Sequence, residues 1–393
     1  MANFSGTLTR NEIYYALYNM IISQVMMNND LSGLDNSLAE TFKEEGGLLG
    51  DTKLIYSADT IGSQEWLGDN EAQNLLKIHR PKDPVVQEVK IDQFRMIPIT
   101  IDNYLSKRGF STEGVYHDFT SVMLDSIGQS KKIYDNGLIN TFVGTTESKS
   151  TKAKVEIDVT TSVGSTTGEE KNRLRAQTIA KGLSDLLFDI KDCSRDFNDN
   201  KHYRAYNPND LIVVWNQRYI SEITKLDLPT IFHKDGLLEN KDFVLPQRFF
   251  GDIVTAAAGV TSDGTYCSLV EADYAKTAGD VVTHLYPGDV IPAGYYLVTE
   301  VNETKTSTSK YRLTDTIIAK TIKTKLSAGE AYKPNNKVIC KILHKNSIPF
   351  MSAFETSQTF FNPRSLTESH YLIWGFSTPT YNADKPFITV VEK

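Results

Sequence analysis

Residues 89–102 alternate between apolar and polar side chains, with lysine, aspartate, arginine and threonine between the apolar positions. A period of two is typical of a strand that buries one face. Proline cannot donate a hydrogen bond to a neighbouring strand, so Pro98 predicts a bend or an edge position there. The apolar positions of one parity are Val89, Ile91, Ile97, Ile99 and Ile101.

The chain then turns at Lys107-Arg108-Gly109, and its apolar residues recur every three or four positions from Ser111 to Phe142. This period predicts a helix about 45 Å long, at 1.5 Å per residue. Gly128 and Gly137 each weaken a helix by about 1 kcal/mol relative to alanine, so tertiary packing must support it. The expected core residues of this helix are Val115, Phe119, Val122, Met123, Ile127, Ile133, Tyr134 and Leu138.

Two segments of different character precede the strand. Residues 1–31 predict an N-terminal helical arm, in which Thr9 and Glu12 have the spacing of a capping box. Its apolar residues extend beyond one face, so the helix must be covered from several sides. Residues 32–85 contain many glycines and only short apolar runs. So long a stretch without a core-forming pattern predicts an extended functional loop, for which a two-stranded arm is a fitting form.

The strand and the long helix together form one region, 86–145. Three further regions follow it. Residues 146–250 alternate strand and helix patterns, and the apolar run Leu211–Trp215 predicts a strand buried on both faces. Residues 251–335 contain short β-type segments between dense turn signals, which predicts a small inserted β-rich domain. Residues 336–393 return to the earlier strand patterns. The overall expectation is an α+β fold.

Composition narrows the classes of function. The 393 residues are 40% hydrophobic and 23% charged, as in a folded protein, and the formal net charge is −7. That charge argues against a chain whose main task is to grip nucleic acid. Cys193, Cys267 and Cys340 are far apart, which predicts three reduced thiols rather than a disulfide framework or metal site. No segment resembles a secretion signal or a membrane span.

Motifs for catalysis are missing from the sequence. It contains no phosphate-binding glycine loop, dinucleotide fingerprint or nucleophile elbow, and no two histidines stand four residues apart. The segment starting at Asp196 resembles a calcium loop, but Lys201 replaces the glycine and Asn207 the final glutamate. The basic clusters 149–154 and 320–325 lack interleaved aromatics and favour solvated strand faces. We therefore expect no catalytic, metal or cofactor-binding residues.

The order of these parts resembles the major capsid proteins of tailed bacteriophages with the Hong Kong 97 fold. The resemblance rests on an N-terminal helical arm, a long extended loop, and the strand 89–102 with its Pro-Ile-Thr-Ile ending. That strand leads into the long helix, which corresponds to the spine helix of the family's peripheral domain. Residues 146–250 then correspond to the axial domain, and residues 336–393 to the return through both domains. The β-rich insertion 251–335 is extra relative to the minimal fold.

The resemblance implies a head-shell protein that assembles with itself into hexamers and pentamers and encloses double-stranded DNA without sequence-specific binding. It implies a separate scaffolding protein, a portal and a maturation protease as partners, with minor or decoration capsid proteins as further ones. The chain would be assembled in the host cytoplasm and end in the virion. The loop would lie over a neighbouring subunit, with contact residues Lys43, Glu44, Lys53, Leu54, Tyr56 and Trp66.

Two other classes of function remain open at this point. One is a different phage structural protein, such as a tail or baseplate component, although a tube protein would be mostly β. The other is a soluble enzyme or carbohydrate-binding module that uses the 251–335 region or the aromatic segment from Phe354 to Trp374. Those aromatics favour a core or a subunit contact over a stacking platform, since aromatics dominate both. Large closed particles would distinguish a capsid protein from a ligand-binding monomer.

Overall fold

The computed structural model of the chain describes residues 37–45, 51–63, 78, 80–102, 113–164, 166–224, 241–255, 259–309 and 312–393. The helix expected within 9–30 and the loop residue Trp66 lie outside these residues. In the described part, no helix is both long enough and apolar enough to cross a membrane. The side chains of four expected helix-core residues are also outside the description: Val115, Phe119, Val122 and Met123.

The strand expected at 89–102 belongs to a five-stranded sheet, the arm sheet, with strand order β1-β15-β16-β3-β2. This strand, β3, begins earlier than its pattern predicted, because Val85–Lys90 pairs antiparallel with β2. Pro98 opposes Tyr371 of β16, and the described residues place no strand on its other side, so the edge position is confirmed. The strands are Lys43–Glu45 (β1), Thr52–Ser57 (β2), Val85–Asp102 (β3), Phe350–Asn362 (β15) and Thr367–Ser377 (β16).

The long helix is confirmed at Glu113–Thr145 and lies between two sheets. One hydrophobic core joins it to both, through Tyr134 and Val143 of the helix, Trp374 of the arm sheet and Ile212 of the second sheet. A short helix, Leu38–Phe42, packs into the same core. Ile127 and Tyr134 are buried and Leu138 is partly buried, as their positions in the stripe predicted.

The second sheet, called the central sheet, has the order β4-β17-β14-β5-β6. Every residue of β5 is buried, so the predicted strand with two covered faces is confirmed. The long helix covers one face, and the helix Glu169–Lys191 covers the other through Ile179, Leu183 and Leu187. Two short helices, Val159–Val163 and Gln217–Thr224, flank it. Its strands are Lys154–Ile157 (β4), Leu211–Asn216 (β5), Lys241–Leu245 (β6), Val338–His344 (β14) and Phe387–Glu392 (β17).

The described residues between 251 and 335 form only strands and turns, and we call this part the module. Its two sheets, ordered β10-β9-β11-β12 and β7-β13-β8, enclose a separate core that includes Tyr274, Ile291 and Ala331. The β-rich character expected there is therefore confirmed. Its strands are Gly251–Ile253 (β7), Cys267–Ser268 (β8), Ala272–Ala275 (β9), Thr283–Leu285 (β10), Tyr296–Ser309 (β11), Arg312–Lys323 (β12) and Ala331–Pro334 (β13).

Candidate assembly surface

Strand β2, in the first part of the extended loop, pairs with β3 to form a two-stranded ribbon. We call this ribbon, which is distinct from the N-terminal helical arm expected at 1–31, the arm. Its register pairs Tyr56 with Val86 and Ile55 with Gln87, so alternate residues of each strand lie on opposite faces. Ile55 packs with Val89 into a small core beneath the ribbon. On the opposite face, 48% of Leu54 and 66% of Tyr56 are exposed. The arm therefore exposes Leu54, Tyr56 and Val86 on one face, which also carries Glu88 and Lys90.

Beyond the arm, β3 exposes a further pair of apolar side chains, Phe94 and Met96. A β-bulge between Ile91 and Gln93 shifts the alternation of β3, so Phe94 lies on the same side of the sheet as Val89 and Ala353, and 54% of Met96 is exposed. The Phe94 ring lies over Gly375 of β16, where an added Cβ would come within 2.9 Å of the ring. Exposed apolar side chains that lie side by side are candidates for contact with a partner. Phe94 and Met96 are called the outer face below, whereas Leu54, Tyr56 and Val86 belong to the arm.

The opposite side of the arm sheet packs on the long helix. The rings of Tyr134 and Trp374 meet edge to face, with centroids 6.1 Å apart. Lys131 is buried, pairs with Glu355 of β15 and lies 5.9 Å from the Trp374 ring. Burial raises the pKa of the neighbouring Asp135 carboxyl, and the positive charge of Lys131 partly opposes that shift. The sheet is thus fixed from behind while its outer face stays open.

The base of the arm is attached to the body of the same chain. Ser57 is buried, and its Oγ lies 2.8 Å from Nδ1 of His202. Asp384 Oδ1 lies 3.1 Å from the same Nδ1 and its other oxygen accepts from Arg204 Nε at 2.9 Å. A second guanidinium nitrogen of Arg204 donates to the carbonyl of Ala58 at 2.8 Å. The first strand of the arm therefore ends in a polar socket.

Two more contacts complete this socket. Asp59 accepts from the backbone amide of Tyr203 at 3.0 Å and from Arg195 at 3.0 Å, and these interactions hold its pKa at about 2. On the second strand of the arm, the Gln87 amide donates to the carbonyl of Tyr381 and accepts from the amide of Ala383. Both strands of the arm are thus held by the segments 195–204 and 378–385, so the chain itself defines the direction in which the arm extends.

Ser57, His202 and Asp384 bring together the residue types of a hydrolytic triad. In such a triad the carboxylate and the serine bind opposite nitrogens of the imidazole ring. Here the Ser57 hydroxyl oxygen and one carboxylate oxygen of Asp384 both contact Nδ1 of His202. A carboxylate can only accept, so Nδ1 carries the hydrogen, and the Ser57 oxygen accepts from it as well. The hydroxyl is not activated by a base, so this geometry is that of a structural contact.

The structure brings some of the expected contact residues together. Lys53 of β2 forms an ion pair with Glu44 of β1, so these two strands are joined within one chain. Lys43 adjoins Glu44 in β1, and its charge also acts on Asp135 of the long helix. Leu54 and Tyr56 are exposed on the arm.

Sequence reasoning missed several residues of this surface. Sequence alternation places Phe94 and Met96 opposite Val89 and Ile91, but the β-bulge between Ile91 and Gln93 brings Phe94 to the side of these buried residues, so periodicity alone could not assign them. No sequence signal connects His202 and Asp384 to the arm, because they are separated from Ser57 by 145 and more residues. Among the described residues, no group of three or more histidines, cysteines and carboxylates is arranged to hold a metal ion.

Comparisons with known proteins agree with this arrangement. A family model described as Phi29-like phage major capsid protein matches residues 2–375. The fold is similar to a chain in the capsid structure of Staphylococcus phage Andhra, with a TM-score of 0.54 and 13% identity over 90% of this chain and 83% of that chain. It is also similar to a chain in the structure of the head fiber and inner core protein gp22 of native bacteriophage P68, with a TM-score of 0.52 and 12% identity over 89% and 83% of the two chains. No curated protein sequence matches.

Proposed function

Because the chain belongs to the family of Phi29-like phage major capsid proteins, we propose that it closes an icosahedral shell by placing its arm and outer face against neighbouring copies. The α+β architecture is the Hong Kong 97-type capsid fold expected from the sequence. Membership of a capsid protein family favours this role over the two alternatives left open by the sequence. Those alternatives were a tail or baseplate component and a soluble enzyme or carbohydrate-binding module.

The observation that supports this proposal is a group of exposed apolar side chains, Leu54, Tyr56 and Val86, on an arm of fixed direction. Fully burying one exposed side chain such as leucine or valine contributes about 1.5–3 kcal/mol. A single arm therefore forms only a modest contact. In a closed shell each subunit makes and receives such contacts, and the linked interfaces add to a stable assembly. Contacts of this size suit hexamers and pentamers, because the same surface must adapt to slightly different neighbours.

The proposed content and partners follow from the same role. The formal net charge of −7 suits a wall that confines double-stranded DNA without an attractive surface for it. Assembly in the host cytoplasm would involve a separate scaffolding protein, a portal and a maturation protease, with minor or decoration proteins added to the virion. The domain boundaries 1–31, 32–85, 86–145, 146–250, 251–335 and 336–393 are part of this proposal.

A double substitution tests the role of the exposed apolar side chains of the arm. Leu54→Ser with Tyr56→Ser should leave a folded chain, because both side chains are exposed in the single subunit. We expect unchanged circular dichroism and a loss of closed particles in negative-stain micrographs after co-expression with the neighbouring phage genes. Val281→Ser is the matched control, since Val281 is 61% exposed but lies in the module. Normal particle yield from the double variant would contradict the proposal.

A further inference from the structure

The module can be either a tethered domain or a fixed part of the wall. Its separate core of buried residues, with Tyr274 and Ala331 fully enclosed, makes it an independently packed unit. Its attachment therefore decides its role. A tethered binding domain needs only the two peptide segments that connect it to the fold. A support needs, in addition, contacts that fix its orientation against the rest of the fold.

A junction of charged side chains connects the module to β3. Arg95 Nη1 donates to Glu271 Oε2 at 2.7 Å, and only 17% of the Glu271 side chain is exposed. The Arg95 guanidinium also lies 4.5 Å from the centre of the Tyr134 ring of the long helix. An arginine can make both contacts because its planar group stacks on one side and donates in its plane. Arg95 therefore joins β3, the long helix and the module.

The same junction extends into the module. Glu271 Oε1 lies 2.8 Å from Nε2 of His284, and Asp273 Oδ1 lies 2.8 Å from Nδ1 of that ring. Both ring nitrogens therefore face carboxylates, and these contacts raise the pKa of His284 to about 9. The imidazolium balances the second carboxylate, so Glu271 can bind Arg95 while it stays in a neutral cluster. The cluster connects β3 to β9 and to the edge strand β10.

Two close backbone approaches hold the module against the long helix. At Gly137 an added Cβ would come 2.9 Å from the carbonyl oxygen of Pro287 in the module. About two turns further on, at Gly144, it would come 2.0 Å from the carbonyl oxygen of Phe249, just before the module begins. Phe249 in turn lies against Gly288 of the module. These approaches place the module along the helix, from the turn next to Tyr134 and the Arg95 junction to the end of the helix.

We propose that the module is a brace that supports the assembly surface from behind. Arg95 stands between Phe94 and Met96 in β3, so it occupies the opposite face of the strand from these two outer-face residues. A module that holds Arg95 also holds the backbone that presents them. Arg95 and Glu271 are thus positioning residues: they act on the outer face through the orientation of β3.

Hydrogen exchange of the full-length chain tests the brace without requiring assembly, so its outcome is independent of the shell proposal. Glu271→Gln removes the charge that Arg95 binds while it keeps the shape of the side chain. We expect amide exchange to become several-fold faster in peptides from residues 93–99 and 127–138, outside the module. Glu300→Gln is the matched control, because Glu300 forms an exposed ion pair with Lys320 inside the module. It should leave those peptides unchanged.

Arg95→Lys provides a second variant if Glu271→Gln disturbs the core of the module. It keeps the positive charge but loses the planar contact with Tyr134, so we expect a smaller change in the same peptides, with residues 272–275 still protected. Exchange that increases only within 251–335 in Glu271→Gln would overturn the brace. So would equal effects of Glu271→Gln and Glu300→Gln, or unchanged exchange at 93–99 and 127–138 in Arg95→Lys.

Discussion

Lys341 of β14 donates a hydrogen bond from Nζ to the carbonyl oxygen of Thr146, over a distance of 2.6 Å. Thr146 directly follows the long helix, whose last turn contains no basic residue. The C-terminal carbonyls of a helix lack partners within the helix and favour a positive charge. A lysine from the middle of the central sheet thus provides the cap that the helix sequence lacks.

Lys341 is only 1% exposed, and burial lowers its pKa from 10.5 to about 7. The folded chain then releases a proton between pH 7 and 10.5 that the unfolded chain keeps. The free energy of unfolding should rise with pH in this window, by at most about 1.4 kcal/mol per unit from this group. Lys341→Met, which cannot titrate, should lack that rise. Urea unfolding of both proteins at pH 7 and pH 9 measures the difference.

Lys345→Met is the control for this comparison, because Lys345 is exposed and pairs with Asp210. Its stability should follow the pH dependence of the parent chain. Parallel pH profiles for the parent and Lys341→Met would show that the amine of Lys341 keeps its ordinary pKa in the folded state.

Two glycines of the long helix should respond to alanine with opposite signs. At Gly128 nothing lies within 4 Å of an added Cβ, so Gly128→Ala should raise stability by about 1 kcal/mol through helix propensity. At Gly144 the new Cβ would meet the backbone at Phe249, which cannot move without shifting the start of the module. Gly144→Ala should therefore lower the thermal midpoint. A rise at both positions would contradict the close approach.

The socket should control the arm through Asp59. Asp59→Ala removes the acceptor for Arg195 and for the Tyr203 amide, so limited proteolysis at residues 51–63 should become faster while the central sheet stays protected. Thr60→Ala is the matched control, because Thr60 contacts Asp59 through its backbone amide. Equal cleavage rates in the two variants would argue against a role of the socket in holding the arm.

His284 should give the module a pH dependence opposite to that of Lys341. Its pKa is raised from 6.5 to about 9, first through the hydrogen bond with Glu271. The stabilisation is fully present below pH 6.5 and is lost as the pH rises through 9. The amide hydrogen exchange of β9 and β10, after correction for intrinsic rates, should therefore become faster between pH 6.5 and 9. His284→Gln, which cannot gain the charge, should show no such increase; a matching increase would exclude His284 as its source.

The hydrophobic pattern alone predicted the strand that leads into the long helix, the helix itself and the doubly buried β5. The hydrophobic period of each of these elements involves only residues that are close in sequence, so the sequence alone is sufficient to predict them. The turn-rich composition of residues 251–335 likewise predicted a β-rich region. The order of these elements was sufficient to suggest the capsid family.

Other features depend on contacts between distant parts of the chain. Nothing near Arg95 indicates Glu271, and nothing near Ser57 indicates His202, because each pair meets only after the sheets have packed on the long helix. The same holds for Gly144, whose need for a missing Cβ comes from the backbone at Phe249. Local periodicity determines which face of an element is apolar. Which apolar face stays open, and what holds it in place, was decided by the tertiary packing, because burial depends on every element at once.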